Sequence, residues 1–413
     1  MEQHPLAEML RIEGGRVLAT LIRFTGDIDL AEEAVHDAVV IALERWKRDG
    51  IPDNPAAWIT TVARRRALDH LRRESKRTLK ESVAESLLDE RPMVEVDTDS
   101  AIGDDRLRLL FTCCHPALGI EARIALALRT LCRLTTPEIA RAFLVSDATM
   151  GQRISRAKSK IANAHISYRI PDDHELPERL DAVLATIYLV FTAGHHAAVG
   201  SLDSRVDLAD EGIRLARLMA ELMPDEPECV GLVALLLATN ARRDGRIDVD
   251  GELILMADQN RSLWDSGAIS EATALVETSL TKRRPGPYQI QAAIATLHGL
   301  APNYAATDWP QIAELYRLLE HRVPTPVVRV NRAVAEAEVH GAAVGLGMLD
   351  ELLRADVEAD VTRWHLYWAT RADFLRRLDR SDESIEAYDA ALKCNPNESD
   401  RRFLLRRLTE LRR

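Results

Sequence analysis

The residues with the most specific chemical pattern are 135–150, Thr-Thr-Pro-Glu-Ile-Ala-Arg-Ala-Phe-Leu-Val-Ser-Asp-Ala-Thr-Met, and that chemistry is recognition rather than bond-making. Thr135 with Glu138 three positions on, and Pro137 near the first helical position, forms a helix-start signal in which side chains satisfy otherwise unpaired amides. Residues 144–146 then make a tight turn. Ser146 or Asp147 can cap a second helix carrying Gln152, Arg153, Arg156, Lys158 and Lys160. Two helices joined in this way form a helix-turn-helix. In such a unit the early residues of the second helix reach base edges in the major groove, and Arg and Lys farther along hold phosphates. The same pattern taken alone also describes a helical hairpin with a solvated basic face.

A second segment, 56–73, puts Trp58 and an apolar stripe on one helical face and a row of arginines on the other, so that base stacking and phosphate contact are both open to it. Residues 64–80 hold eight basic and two acidic side chains, whereas 81–105 hold nine acidic ones and a single Arg. Two basic helical units joined by an acidic tether can hold two separated DNA elements at once, with the local concentration set by the tether. The net charge of −11 conceals this. Residues 1–170 carry 26 Lys+Arg against 25 Asp+Glu, and the remainder carries 28 against 40. Phosphates respond to the local footprint, not to the total.

The elements that must position these side chains are helical. The composition is 46% apolar but only 5% aromatic, rich in Ala, Leu and Arg and poor in strand formers, which predicts an all-α protein. Leu18, Leu21 and Ile22 repeat at helical spacing. So do Leu30, Ala34, Ala38, Ile41 and Ala42 and, after a Pro-Asp-Asn-Pro break, Trp58, Ile59, Val62, Ala67, Leu68 and Leu71. At 413 residues the chain exceeds the roughly 250–300 at which one core stops growing. The predicted organisation is a bundle over 1–80, an acidic flexible linker over 81–105, a second helical unit over 106–170 and a helical solenoid over 171–413. No apolar run approaches the ~20 residues of a membrane span, so a cytoplasmic, nucleoid-associated location is expected. The five cysteines lack CxxC spacing, and Cys113-Cys114 read as packing rather than as metal or redox chemistry.

These residues resemble the extracytoplasmic-function sigma factors of RNA polymerase. Residues 27–38 with Trp46 look like the family's first conserved region. That resemblance implies that Asp29, Glu32, Glu33 and Asp37 meet basic residues on the clamp helices of the polymerase β′ subunit. Residues 58–73 are similar to the reader of the −10 element, with Ala63-Arg64, Asp69, Leu71, Arg72 and Arg73 matching and Arg65 standing where Asn is usual. Trp58, Arg64, Arg65, Arg66, Arg72 and Arg73 are the implied −10 contacts, on a strand opened by unstacking a base. Residues 106–161 are similar to the −35 reader, with Thr149, Gln152, Arg153, Arg156 and Lys158 as implied contacts and Gly151 where relatives carry Lys or Arg. The resemblance implies a factor that binds core polymerase, at the β′ clamp helices and the β flap, and directs initiation by −10/−35 recognition and promoter melting. It implies no catalytic residue, metal or cofactor.

A conventional member ends near Ser167, so some 240 residues remain. Residues 362–397 look like a tetratricopeptide repeat, with Ala372, Ile385, Tyr388, Ala391, Leu392 and Pro396 in register, Asp379 replacing the usual turn Gly and Ser384 a usual Ala. The back half, including 258–261, 287–293 and 326–334, resembles the extension of one group of these sigma factors. A solenoid of this kind presents a concave surface, and the expectation is that it folds back on the sigma half or receives a protein partner and so regulates it. Two other readings stand beside this one. A helix-turn-helix activator with a solenoid sensor leaves 58–73 idle. A helical-repeat enzyme would use His195, His196, Asp203, Asp207, Asp258 and His298, which no catalytic motif accompanies.

Overall fold

Every element of this computed structural model is a helix among the described residues, which are 5–77, 100–143, 145–164, 166, 168–172, 174–197, 208–246, 248, 252–355, 361–396 and 398–412. The chain divides into two compact units, Met1–Ala193 with Ser204–Glu211, and Gly194–Asp203 with Gly212–Arg413.

In the first unit, α1 (Pro5–Thr25), α2 (Ile28–Asp49) and α3 (Pro55–Arg77) pack pairwise into a bundle. Asp27 caps α2 by accepting from the Leu30 amide at 2.9 Å, and Asn54 does the same for α3 through Ala57 at 3.0 Å. The core is made by Leu18, Leu21 and Ile22 against the Ala31, Ala34, Ala38, Ala42 stripe and Ile59, Ala63 and Ala67. Alanines at helical spacing let backbones approach closely. The next four helices are α4 (Ser100–Cys113), α5 (Ile120–Thr130), α6 (Thr136–Ala142) and α7 (Asp147–Asn163). On α7, Met150, Ile154, Ala157 and Ile161 form the buried stripe.

The expected linker lies mostly outside the described residues, but its end does not: 100–105 are the first turns of α4. Asp105 is fully buried there, paired with Arg108 at 2.7 Å and with Arg23 of α1 at 3.2 Å, so an acidic residue read as tether is a charge-neutralised core position. The unit also runs past residue 170. It takes in most of α8 (Leu176–Ala197), whose Arg179 donates to the Phe111 carbonyl at 2.8 Å and whose Val183, Leu184, Ile187, Val190 and Phe191 are buried. Helix α9 (Leu208–Leu222) contains the division between the units.

The second unit holds α10 (Pro227–Asn240), α11 (Ser266–Thr281), α12 (Pro287–Leu300), α13 (Trp309–Arg322), α14 (Pro326–His340), α15 (Ala342–Ala355), α16 (His365–Arg377), α17 (Ser381–Lys393) and α18 (Glu398–Leu411). Sequential neighbours pack throughout, as stacked helical pairs do. Helix α10 is apolar on all sides and is the buried one. The Glu228 carboxylate on α10 accepts from the amides of Tyr288 and Gln289 at the start of α12, at 2.9 and 3.1 Å. Gly231 is required nearby, because a Cβ there would lie 2.8 Å from the Gln289 amide nitrogen. Helices α16 and α17 form the hairpin expected at 362–397. The departure at Ser384 is satisfied, since its buried hydroxyl donates to the Ala372 carbonyl at 2.8 Å. The departure at Asp379 is strained. It turns the chain at φ 58° with an exposed side chain, in the left-handed region where a Cβ is penalised. Asp379→Gly is expected to stabilise the extension by about 0.5–1 kcal/mol, read as a higher melting midpoint.

Candidate nucleic-acid interface

The helix-turn-helix forms as its sequence dictates. Glu138 Oε2 accepts from the Thr135 amide at 2.7 Å and from the Thr135 hydroxyl at 2.6 Å, while Thr135 Oγ1 accepts from the Glu138 amide at 3.4 Å. Ser146, not Asp147, caps α7, accepting from the Thr149 amide at 3.1 Å. The cap sets Thr149, Gln152 and Arg156 on the exposed face of α7. The other two candidates are engaged within the chain. Arg153 pairs with Glu121 at 2.7 Å, and Lys158 pairs with Asp29 at 2.6 Å and Glu32 at 3.1 Å. Gly151 needs no special conformation; a Cβ there would meet only the Thr136 methyl at 3.9 Å, so the space for a longer side chain exists.

On α3 the implied −10 contacts divide similarly. Arg64 and Arg65 are exposed, with the Arg64 guanidinium 4.7 Å from the centroid of the Phe24 ring, and Arg66 faces Asp37 at 3.9 Å. Arg72 is exposed too, and the Arg73 side chain lies outside the described residues. Trp58 meets Trp46 edge-on, 5.5 Å between ring centroids, so the aromatic that opens the helix is held by the bundle.

The four carboxylates assigned to polymerase all face basic side chains of this chain. Asp29 and Glu32 meet Lys158; Glu32 also meets Arg129 at 3.6 Å; Glu33 meets His70 at 3.4 Å; and Asp37 meets Arg66. Lys158 and Glu32 are only 12% and 15% exposed, which makes their pair far less screened than a surface one. It joins α2 to α7 across 126 residues of sequence.

Sequence reasoning missed the contacts that create this closure. Gly14 and Gly15 lie inside α1, each costing about 1 kcal/mol of helix stability against Ala. Their reason is the turn after α5. A Cβ on Gly15 would lie 2.7 Å from the Leu131 carbonyl oxygen, and one on Gly14 would lie 3.0 Å from Arg133 Cγ. Burial pushes the Arg133 guanidinium below its ordinary range, while Glu32 pulls it back. The Tyr168 hydroxyl lies 3.0 Å from the Ala19 carbonyl and 2.9 Å from that of Asp105, fastening α1 to α4, and burial moves its pKa well up. The Gly-Gly pair was the legible signal, since a glycine inside an apolar helix asks for a close neighbour.

Cys113 and Cys114 are buried, and Cys113 Sγ lies 3.2 Å from Thr130 Oγ1; burial drives both thiols up, Cys114 to about 12. Among the described residues no cluster of three His, Cys, Asp or Glu could hold a metal, and no helix is long and apolar enough to cross a membrane. Of the acid–base set considered above, Asp203, Asp207 and the side chains of His195 and His196 lie outside the described residues. Asp258 is exposed, and His298 is buried against Trp309.

Comparison with known families agrees with this anatomy. Residues 9–77 match the model of sigma-70 region 2 and residues 108–161 that of sigma-70 region 4. Residues 179–280 match a family of unknown function, DUF6596. The chain is 43% identical over 96% of its length to an uncharacterized protein of Rhizobium meliloti (strain 1021), of which the match covers 93%. It is 29% identical to the ECF RNA polymerase sigma factor SigK of Mycobacterium bovis (strain BCG / Pasteur 1173P2), over 39% of this chain and 86% of that one. It is 27% identical to the probable ECF RNA polymerase sigma factor SigI of Mycobacterium tuberculosis (strain CDC 1551 / Oshkosh), over 43% of this chain and 62% of that one.

A region 2 bundle and a region 4 helix-turn-helix on one polypeptide define a sigma factor, a transcription initiation factor that works with core RNA polymerase on promoter DNA. The chain belongs to the extracytoplasmic-function sigma factors and carries a C-terminal helical extension.

Proposed function

We propose that this sigma factor reads a −10 element with α3 and a −35 element with α7, opens the promoter, and alternates between a closed state that masks its polymerase-binding carboxylates and an open one that offers them. The observation that carries the reading is the Lys158 pair with Asp29 and Glu32. One bond engages a candidate −35 contact and two candidate β′ clamp-helix contacts, so the groups needed for both partners neutralise each other. Promoter reading falls to Thr149, Gln152 and Arg156 on α7 and to Arg64 and Arg65 on α3, whose exposure supports it. Binding of the clamp helices exchanges Lys158 for polymerase cations, and region 4 is released toward the β flap and the −35 DNA. Exchange of one ion pair for another costs little net energy, so the switch is set by packing around the pair.

The direct test is transcription by core polymerase and the purified full chain on a library of random upstream sequences. Enrichment of two spaced elements is expected, with Gln152→Ala relaxing the upstream one only. A single enriched element, or none, sinks the two-reader assignment.

We further propose that the extension regulates the sigma half. A chain ending at residue 197 keeps α1–α8, whereas a cut after Tyr168 would strip α8 from the core it covers. The shorter chain is expected to change promoter-directed output at least about fivefold, an ordinary coupling of about 1 kcal/mol. Unchanged output and unchanged response in cells would reject a regulatory extension.

A further inference from the structure

Many arginines of the extension pair with carboxylates. Arg217 meets Glu271 at 2.6 Å, Arg332 meets Glu320 at 2.8 Å, Arg376 meets Asp373 at 2.7 Å and Arg377 meets Glu338 at 2.6 Å. With 40 acidic against 28 basic side chains beyond residue 170, carboxylates are in surplus. Arg242 and Arg261 have no such pair among the described residues, and they come together on one aromatic ring. Both guanidiniums stack on the Trp264 ring, at 5.7 and 4.6 Å from its centroid. Among the described residues neither meets a carboxylate; Tyr316 and Arg246 are the neighbours that act on Arg242 besides Arg261.

The surroundings concentrate positive charge in a poorly hydrated place. Trp264 is 6% exposed and lies against Gly245, where a Cβ would come 2.9 Å from the indole nitrogen. His298 is 9% exposed, T-stacked on Trp309 at 5.1 Å, and its Nδ1 has no hydrogen-bond partner. Arg261 uses Nη1 on the carbonyls of His298 and Ala301 at the end of α12, leaving Nη2 buried and unpartnered. Burial and the two arginines hold the His298 imidazole neutral, down to about 4, and burial brings the Arg242 guanidinium to about 10. An indole face and a helix C-terminus each return only part of what a desolvated guanidinium loses. Two positive charges are therefore held on a buried aromatic floor with no carboxylate partner among the described residues, while both arginines keep some exposure to solvent.

We propose that Arg242 and Arg261 on the Trp264 ring, with His298 beside them, form a binding site for one oxyanion group, a phosphate or a carboxylate of a small molecule. Guanidinium forks bind such groups bidentately, and in a partly dry site the charge-assisted bonds are strong. Arg242, Arg261 and Trp264 lie within the segment 179–280, His298 and Trp309 beyond it, and the site does not depend on how the sigma half reads promoters.

The test is thermal unfolding of the full chain with inorganic phosphate, and separately with acetate, against chloride at equal ionic strength. Phosphate or acetate is expected to raise the melting midpoint in a saturable way. A response to phosphate alone marks a phosphoryl ligand, and an equal response to acetate a carboxylate. Arg242→Met, which keeps volume and removes charge, is expected to weaken the response at least tenfold while leaving the midpoint in chloride unchanged or higher. Arg317→Met, at an exposed arginine paired with Glu314, is expected to leave the response intact. Should R242M fail to fold, the His298 ring resonances of the wild-type chain serve instead: saturating phosphate is expected to raise the imidazole pKa by at least one unit. A wild-type response equal to that in chloride, a full response in R242M, or an unmoved His298 would each overturn the proposal.

Discussion

Gly15→Ala is expected to open the N-terminal unit and to raise its affinity for core RNA polymerase about tenfold. The added methyl would sit 2.7 Å from the Leu131 carbonyl oxygen, a backbone atom that cannot swing aside as a flexible side chain can. Overpacking of this kind costs about 1–3 kcal/mol, and that penalty falls only on the closed arrangement. In α1 itself alanine is better than glycine by about 1 kcal/mol, so helix formation is not what suffers. If the closed state hides Asp29 and Glu32, the affinity of the free chain is reduced by the fraction that is open, and each 1.4 kcal/mol taken from the closed state returns about a factor of ten. Hydrogen exchange reads the structural half of the prediction, through faster exchange at the amides of 131–134. Equilibrium binding to core polymerase reads the functional half. Gly15 is a cleaner handle than Lys158, because Lys158→Ala would also remove a candidate −35 contact. Faster exchange with unchanged polymerase affinity would mean that the Lys158 pairs do not mask the carboxylates that polymerase uses.

That wedge also marks the limit of sequence legibility. Short-range chemistry could be read: the Thr135–Glu138 capping box, the Ser146 cap and the buried stripe of α7 are all set within a few residues of one another, and they form as their spacing requires. The exposed faces of α3 and α7 were legible for the same reason, since helical periodicity divides a buried from a solvated face. Long-range partners were not. Nothing in the sequence around Glu32 says that its partner is Lys158, 126 positions away, because a carboxylate on a helix face is equally suited to solvent, to polymerase or to its own chain. Asp105 was read as tether because acidic runs are usually solvated; its burial depends on Arg23 and Arg108 arriving from two helices. The edge at residue 170 followed the length of a conventional relative, whereas the core below α8 follows where apolar surface needs cover. In the extension, the stacking of Arg242 and Arg261 on Trp264 is tertiary in the same sense, brought together by the Gly245 approach rather than by spacing.

The double variant Arg64→Ala, Arg65→Ala is expected to lose initiation on duplex promoters by about a hundredfold and to recover most of it on a template opened in advance over the −10 element. Both are exposed on α3, next to the Trp58–Trp46 pair that fixes the start of the helix, and neither contributes to the core that Ile59, Ala63 and Ala67 form. Removing them should therefore cost little stability. Unstacking and unpairing a base step costs a few kcal/mol, and cations that hold the opened strand offset it. Two charge-assisted contacts at about 1.5 kcal/mol each come to about 3 kcal/mol, or two decades in rate. A bubble template removes the melting step, so the same variant should approach wild type there. The salt dependence of opening should also fall, by about 0.7 in slope for each strand phosphate released. Equal losses on duplex and bubble templates would mean that the two arginines serve assembly with polymerase instead. Arg66, 3.9 Å from Asp37, supplies the contrast: its replacement is expected to strengthen polymerase association before it affects opening, because it frees a carboxylate of α2 rather than a strand.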